Sequence, residues 1–247
     1  MSLDDNPRTH PDPDRHNPVE AGMAGDYSIS IGHILGEAWQ RTGGAKWIIH
    51  LAMFIYFGIS ILAGIGIAII SMVLPESGMT EMFYQLLEMF YQLLMMAVTT
   101  PLWAGLWMIG LRRAVGAPVR ASQILDYFHL TLPLLGLYLL MTVFTVLGFL
   151  LLILPGIYLA IAYLLAIPLM VDKGLAPWEA MEASRKAISK RWFTVFGLTL
   201  AISFLNLLAM IPFGLGLIWT LPMTNIAFGI LYRNIFGCSD KSMTATF

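Results

Sequence analysis

Residues 154–192 read LPGIYLAIAYLLAIPLMVDKGLAPWEAMEASRKAISKRW, and this stretch decides the fold because it holds each kind of element found along the chain. It opens with a Pro-Gly turn at Pro155-Gly156 and continues as a short apolar run containing Pro168. That run ends at Asp172-Lys173-Gly174. The remainder, 177–192, is charged and has helical periodicity. The stretch therefore predicts a turn, a transmembrane helix and an amphipathic helix in succession.

The composition places the chain among membrane proteins. Of its 247 residues, 58% are hydrophobic and 12% are charged, whereas about 25% of residues are charged in a typical soluble domain. Several apolar runs reach about 20 residues, the length that crosses a bilayer as a helix. The single cysteine, Cys238, excludes an intramolecular disulfide and a thiolate metal cage.

These runs predict an all-α fold, a polytopic membrane helix bundle. Six transmembrane helices form three hairpins, and a cytoplasmic amphipathic helix precedes each hairpin. The predicted spans are about 47–74, 86–111, 132–153, 157–171, 193–211 and 217–236. Together they form a membrane domain over residues 27–237, in which we expect Pro155-Gly156 to reverse the chain and Pro168 to bend the fourth span.

The two ends of the chain differ from this domain. Residues 1–26 are acidic and rich in proline, without an apolar core, which predicts a disordered cytoplasmic tail rather than a signal peptide. Residues 238–247 are expected to form a short cytoplasmic tail. All 14 Lys and Arg residues avoid the turns at 75–80, 154–156 and 212–216. The positive-inside rule therefore predicts that both termini are cytoplasmic.

Two kinds of sequence repetition are present. The heptad EMFYQLL occurs at 81–87 and again at 88–94; it is either a polar edge at an entrance or a duplication that merely lengthens a helix. The first and last hairpins also match one another, which predicts an internal repeat, with chance similarity among apolar segments as the alternative. The matching positions are Glu37, Arg41 and Trp47 with Glu182, Lys186 and Trp192, and Pro101, Arg112 and Gly116 with Pro222, Arg233 and Gly237.

The chain lacks the motifs of the common catalytic and cofactor sites. It has no H-E-x-x-H, G-x-S-x-G, P-loop or dinucleotide-binding glycine pattern, and we place no charged side chain near the midplane of a span. We therefore expect no enzyme activity, cofactor, metal or nucleic-acid partner.

Two sets of residues remain as candidate sites. The charged helix predicts contact with anionic headgroups of membrane lipids on the cytoplasmic side, or with an unidentified protein. Its contact residues are Trp178, Arg185, Lys186, Lys190, Arg191 and Trp192. The second set is an uncharged seam at the proline bends, where proline leaves carbonyls unpaired: Thr99, Thr100, Pro101, Pro168, Pro222, Thr224 and Asn225. The threonines could instead pair with those carbonyls locally.

Residues 28–236 resemble a known group. The motifs are Thr100-Pro101-Leu102 with Ala104-Gly105 and Arg112-Arg113, Leu154-Pro155-Gly156-Ile157, Pro168-Leu169 with Val171-Asp172, and Glu179-Ala180 with Ser184. They are similar to motifs of uncharacterised bacterial six-span membrane proteins, a group related to the membrane domain of some glycerophosphodiester phosphodiesterases. The resemblance implies this fold and a bacterial inner-membrane location. The phosphodiesterase barrel is absent, so the resemblance implies no catalytic residue.

The function that these observations favour is a non-enzymatic, membrane-embedded interaction or lipid-associated module. The alternative is a transporter or channel for a small neutral or amphipathic solute that uses the proline-bent second, fourth and sixth helices. A continuous polar cavity lined by Thr99, Thr224 and Asn225 would favour transport.

Overall fold

The structure, a computed structural model, describes residues 17–73 and 78–239. This part of the chain is helical and contains no strand. Its helices are α1 (Pro18–Ala24), α2 (Ile31–Thr42), α3 (Lys46–Val73), α4 (Gly78–Ala114), α5 (Thr131–Leu151), α6 (Ile153–Ala162), α7 (Ala166–Lys173), α8 (Pro177–Lys190), α9 (Trp192–Met210) and α10 (Leu217–Phe236). Ala121–Leu125 and Phe128–Leu130 are 3₁₀ helices.

Within the described residues, five stretches are long and apolar enough to cross a membrane. They are Lys46–Gly66, Gln85–Ala114, Ala121–Leu151, Ile153–Lys173 and Trp192–Met210. They overlap five of the six predicted spans, and a helical membrane protein is the fold class that they support. The sixth predicted span is a continuous helix, α10, but it is not among these stretches. The six-span count and the hairpin topology stay predictions.

Helix α10 lies at the centre of the bundle. Ten of its residues are buried, including Tyr232 and Phe236, and α1, α2, α3, α4 and α9 all pack against it. Polar side chains of a membrane helix are tolerated where they face other helices instead of lipid. This explains why α10 carries Thr224, Asn225 and Arg233 and is less apolar than α3 and α9.

Helices α4 and α10 cross with their backbones in close contact. A Cβ atom placed on Gly229 would lie 2.6 Å from the carbonyl oxygen of Gly110, and a Cβ atom on Gly110 would lie 2.5 Å from the carbonyl oxygen of Asn225. Small residues allow helices to approach this closely. The crossing holds the C-terminal part of α4 against the central helix.

The fourth predicted span, 157–171, departs from the sequence-based expectation in two ways. The chain reverses at Leu152, which has an extended backbone, and Pro155-Gly156 lies in the first turn of α6 rather than in the reversal itself. The span is also broken between α6 and α7, at residues 163–165, rather than bent at Pro168. Pro168 occupies the first turn of α7, where a missing N–H costs no intrahelical hydrogen bond.

The predicted disorder of residues 1–26 is wrong for residues 18–24, which form α1. Asn17 caps this helix by accepting a hydrogen bond from the backbone N–H of Val19, and Gly25 ends it with a left-handed backbone, φ 89°. Gly22 is buried against Phe236 and the backbone of Ile235. Composition suggested disorder, whereas the local capping signals and this tertiary contact favour a helix. Residues 1–16 lie outside the described part, as do residues 240–247 of the predicted C-terminal tail.

The amphipathic segments pack on the last helix of another hairpin unit. Helix α2 packs on α10, the 3₁₀ helix Ala121–Leu125 packs on α4, and α8 packs on α7. The amphipathic segment before the second hairpin was predicted to be a helix like the other two. It consists of two short 3₁₀ helices, Ala121–Leu125 and Phe128–Leu130. The internal repeat itself stays a prediction, although the docking order is the same in all three units.

Candidate functional site

A cavity of about 710 Å³ lies between α3, α4, α5 and α7. Its walls are mainly aromatic, methionine and leucine side chains, with hydroxyls and one amide among them. The lining residues are Tyr56, Met89, Tyr91, Gln92, Leu93, Met95, Met96, Thr99, Thr100, Trp103, Leu134, Tyr138 and Ile167. None of them is charged. An apolar cavity of this size with a few polar groups has the character of a small-molecule site.

The cavity is deep at one end and open at the other. Thr100 and Leu134 are buried, whereas Gln92, Trp103 and Tyr138 are exposed on the side of the bundle. Most of α4 lies in the apolar stretch Gln85–Ala114, and α5 lies in the apolar stretch Ala121–Leu151. The opening therefore lies beside apolar helix surface, where an amphiphile would meet apolar side chains.

The predicted seam is divided between two places. Thr99 and Thr100 line the cavity, and Pro101 follows them in α4. Thr224 lies between α9 and α10 instead, where its hydroxyl accepts a 2.9 Å hydrogen bond from the amide of Asn206. Asn225 packs against Gly110. Pro222 is buried inside α10, and Pro168 lies in α7, so one continuous seam is not formed.

The threonine hydroxyls do not pair with the carbonyls that the prolines leave free. Thr99 and Thr100 donate to the carbonyl oxygens of Met95 and Met96, at 2.8 and 2.9 Å. Thr224 donates to Thr220. Each bond joins a hydroxyl to the carbonyl four residues earlier, a local arrangement that threonine readily forms in helices. The lone pairs of the Thr99 and Thr100 oxygens are still able to accept a hydrogen bond from a ligand.

The second copy of the duplicated heptad contributes to the cavity wall. Met89, Tyr91, Gln92 and Leu93 of the copy at 88–94 line it, whereas none of the side chains that the structure describes in the copy at 81–87 does. The second copy therefore forms part of the site.

The charged helix α8 is more deeply embedded than the sequence suggested. Met181, Ser184 and Ile188 are buried, and only one edge of the helix is open. Trp178 is 53% exposed, with its ring 5.8 Å from that of Phe144. Trp192 stacks on Phe196 with ring centroids 4.9 Å apart. Of the six predicted contact residues, Trp178, Lys186, Lys190 and Arg191 are exposed.

Helix α8 carries Arg185, Lys186 and Lys190, and Arg191 follows it; the first two of these four cations are paired within the helix. Arg185 donates two hydrogen bonds to Glu182, at 2.7 and 2.8 Å, and Lys186 lies 3.4 Å from the same carboxylate. The hydrogen bond from Arg185 lowers the pKa of Glu182 below its usual value. The surface that remains for anionic headgroups is therefore centred on Lys190 and Arg191.

A buried serine bridges the break between α6 and α7. Ser184 of α8 is fully buried, donates a 2.7 Å hydrogen bond to the carbonyl oxygen of Ala162, and accepts a 3.2 Å hydrogen bond from the backbone N–H of Leu165. These are the backbone groups that the interruption of the helix leaves without helical partners. Ser184 thus fixes the position of α7, which contributes Ile167 to the cavity.

Replacing Ser184 with alanine is expected to destabilise the protein by about 2 kcal/mol, because two buried backbone groups lose their partner. Thermal unfolding of the detergent-solubilised variant measures the effect. Ser189→Ala is the matched control on the same helix: Ser189 is exposed and bonds to Arg185 and Tyr158, so a change below about 1 kcal/mol is expected. Equal losses for the two variants would contradict the bridging role.

A second polar cluster joins α2, α4 and α10. Arg233 donates to both carboxylate oxygens of Glu37, at 2.7 and 2.8 Å, and to the carbonyl oxygen of Ala114, which ends α4. Arg41 donates to Glu37 at 2.7 Å. The hydrogen bond from Arg233, aided by the one from Arg41, lowers the pKa of Glu37 from 4.5 to about 2. The cluster clamps together the C-terminal ends of α4 and α10.

A third cluster surrounds Asp172, whose side chain is fully buried. Its carboxylate accepts a 2.8 Å hydrogen bond from the hydroxyl of Tyr232 and another from the hydroxyl of Ser239, and the amine of Lys173 lies 3.2 Å away. Burial, with the negative charge of Asp172, raises the pKa of the Cys238 thiol to about 12. A thiol with so high a pKa is a weak nucleophile at neutral pH. The hydrogen bonds of Asp172 give the cluster a structural role, because they join α7 to α10 and to Ser239, which follows α10.

Sequence reasoning identified some of these residues but not their partners. Glu37 and Arg233 stood out as repeat positions, yet they are 196 residues apart and belong to different units. Tyr56 and Tyr138 carried no signal beyond a polar atom in an apolar run, whereas Gln92 belongs to the duplicated heptad, for which a polar edge at an entrance was one interpretation. A hydroxyl or amide within a predicted span is the signal that could have directed attention to them. Within residues 17–73 and 78–239, no three His, Cys, Asp or Glu side chains are grouped to hold a metal ion.

No family model, curated protein or solved structure matches the chain. The cavity and the polar clusters therefore carry the functional argument by themselves.

Proposed function

We propose that this chain is a non-enzymatic, lipid-associated module of the bacterial inner membrane, with six spans and cytoplasmic termini, that holds an amphiphilic molecule inside the helix bundle. The observation that carries the proposal is the cavity of about 710 Å³ between α3, α4, α5 and α7. Its apolar walls suit a hydrocarbon chain, and its hydroxyls suit a polar group at one end of that chain.

The position of the cavity supports a ligand taken from the bilayer. Its open side lies on the flank of α4 and α5, both of which belong to apolar stretches long enough to span a membrane. A lipid entering there exchanges one apolar environment for another, so hydrogen bonds and close packing supply the preference for the site. Lys190, at the end of α8, and Arg191 after it would meet anionic headgroups at the cytoplasmic surface, each contact contributing about 1 kcal/mol.

Filling the cavity tests the proposal. Thr99→Phe places a phenyl ring among the lining residues, so the purified variant is expected to retain about tenfold less lipid than the wild-type protein, a difference of about 1.4 kcal/mol. The measurement is mass spectrometry of lipid extracted from protein that has been washed in lipid-free detergent.

Thr199→Phe is the matched control. Thr199 of α9 donates the same kind of hydrogen bond, to the carbonyl oxygen of Val195 at 2.9 Å, is partly buried like Thr99, and does not line the cavity. Its retained lipid is expected to equal that of the wild type. Equal retention by wild-type protein and Thr99→Phe, or no retention by the wild type, would overturn the proposal.

Transport of a small neutral or amphipathic solute is the second candidate, and the broken α6–α7 helix favours it. Discontinuous helices line substrate sites in several transporter folds, and here the break at 163–165 precedes a helix that forms one cavity wall. Proteoliposomes loaded with a fluorescent lipid separate the two functions. Accelerated movement of the lipid between leaflets indicates transport, and retention without movement indicates a static lipid site.

A further inference from the structure

We infer that the ligand of this cavity is an uncharged amphiphile, a hydrocarbon chain that ends in a hydroxyl, ester or carbonyl group. The inference rests on the proposed function and names the chemical class that the lining residues select. Diacylglycerols and prenyl alcohols belong to that class. Phospholipids with a net negative charge do not.

The lack of charged side chains among the described lining residues is the first argument. These residues include no Asp, Glu, Lys or Arg. A phosphate group held there would have no cation to offset the loss of its hydration, and burying an unpaired charge is very costly. A neutral headgroup has no such cost once its few polar atoms are hydrogen-bonded.

The polar atoms that are present suit a neutral headgroup. The hydroxyls of Tyr56, Tyr91 and Tyr138 and the amide of Gln92 have no hydrogen-bond partner among the described residues. A phenol hydroxyl both donates and accepts, and a glutamine amide does the same. They lie on three helices, α3, α4 and α5, so they face the cavity from different sides and together could satisfy a hydroxyl or ester.

The apolar remainder of the wall suits a chain. Three methionines of α4, Met89, Met95 and Met96, line the wall. Two aromatic rings add to it, those of Trp103 and Tyr56, whose centroids lie 6.3 Å apart. Methionine is unbranched and adapts to irregular apolar shapes. A flexible hydrocarbon chain therefore fits this wall better than a rigid polar molecule would.

The test uses two photoactivatable lipids with identical acyl chains, a diacylglycerol and a phosphatidylglycerol, added separately to full-length protein in nanodiscs. Peptides that contain residues 89–103 are expected to be labelled about tenfold more by the diacylglycerol, a difference of about 1.4 kcal/mol, because the phosphate of phosphatidylglycerol would be buried without a cation. Labelling of α9 measures the background from surrounding lipid. The triple variant Tyr56→Phe, Tyr91→Phe, Tyr138→Phe is expected to lower the labelling of 89–103 by the diacylglycerol, because the hydroxyls that bind its headgroup are lost while the cavity stays open.

Tyr158→Phe is the control for loss of a tyrosine hydroxyl, because Tyr158 bonds to Ser189 outside the cavity. It is expected to keep the tenfold preference. Equal labelling of 89–103 by both lipids, above the α9 background, would overturn the ligand class and leave the lipid site standing. Labelling at background level by both lipids would overturn the ligand class and the proposed function together.

Discussion

Replacing Gly110 with alanine is expected to destabilise the protein by about 3 kcal/mol, and replacing it with leucine to prevent folding. A Cβ atom at this position overlaps the side-chain oxygen of Asn225 and lies 2.5 Å from the backbone oxygen of the same residue. The backbone of α10 would have to move away, and α10 is the helix on which five others pack. Thermal unfolding and the yield of monodisperse detergent-solubilised protein measure the effect.

Gly58→Ala provides the matched control. Gly58 lies inside α3, and no atom outside its own helix lies within 4 Å of the position that its Cβ atom would take. Alanine there is expected to be neutral or to stabilise the helix by about 0.5–1 kcal/mol. If Gly58→Ala and Gly110→Ala destabilised the protein equally, close packing of α4 on α10 would not be the reason for the glycine.

Glu37→Gln is expected to cost about 3 kcal/mol at neutral pH, because Arg233 and Arg41 lose the carboxylate that both of them bind. The side chain of Glu37 is only 16% exposed, so water replaces little of the lost interaction. The midpoint of thermal unfolding should fall by roughly 6–12 °C, using about 2–4 °C per kcal/mol for a chain of this size.

The same carboxylate makes the stability dependent on pH. Its pKa is about 2 in the folded protein, against 4.5 for a glutamate without these partners, so the unfolded chain binds a proton first as the pH falls. The contribution of Glu37 is therefore fully present above about pH 4.5 and is lost between there and about pH 2. The wild-type protein should lose stability over that window relative to Glu37→Gln.

The control for this experiment is Glu20→Gln, because Glu20 is exposed in the first turn of α1. It should keep the full pH dependence of the wild-type protein. An acid response of Glu37→Gln that equals that of the wild type would show that Glu37 does not link α2 to α10 electrostatically.

The prediction concerning Glu37 shows why the sequence was an incomplete guide to the site. The sequence identified Glu37 as a repeat position that matches Glu182. The structure gives it a partner 196 residues away, on the central helix. Local patterns report which face of a helix is polar, and they carry no information on which distant side chain meets that face.

Local sequence signals were enough to predict where most of the long helices lie. Apolar runs of bilayer length and prolines and glycines at helix ends predicted α3, α5, α8, α9 and α10 to within a few residues. Residues 154–192 show the limit of that reasoning, because the chain reverses at Leu152 rather than at Pro155-Gly156, and a three-residue break replaces the expected bend. A break exposes backbone groups, and only tertiary structure supplies the distant hydroxyl of Ser184 that satisfies them.

In the candidate site too, the sequence determines some features and tertiary structure determines the others. The sequence by itself determined that Thr99 and Thr100 lie beside a proline in an apolar helix, because those residues are neighbours in the chain. Tertiary structure alone decided that Tyr56, Tyr138 and Ile167 join them around one cavity while Thr224 and Asn225 do not. The physical reason is that the helix carrying a side chain fixes the direction of that side chain. Whether the side chain faces a cavity depends on how the other helices pack against its own.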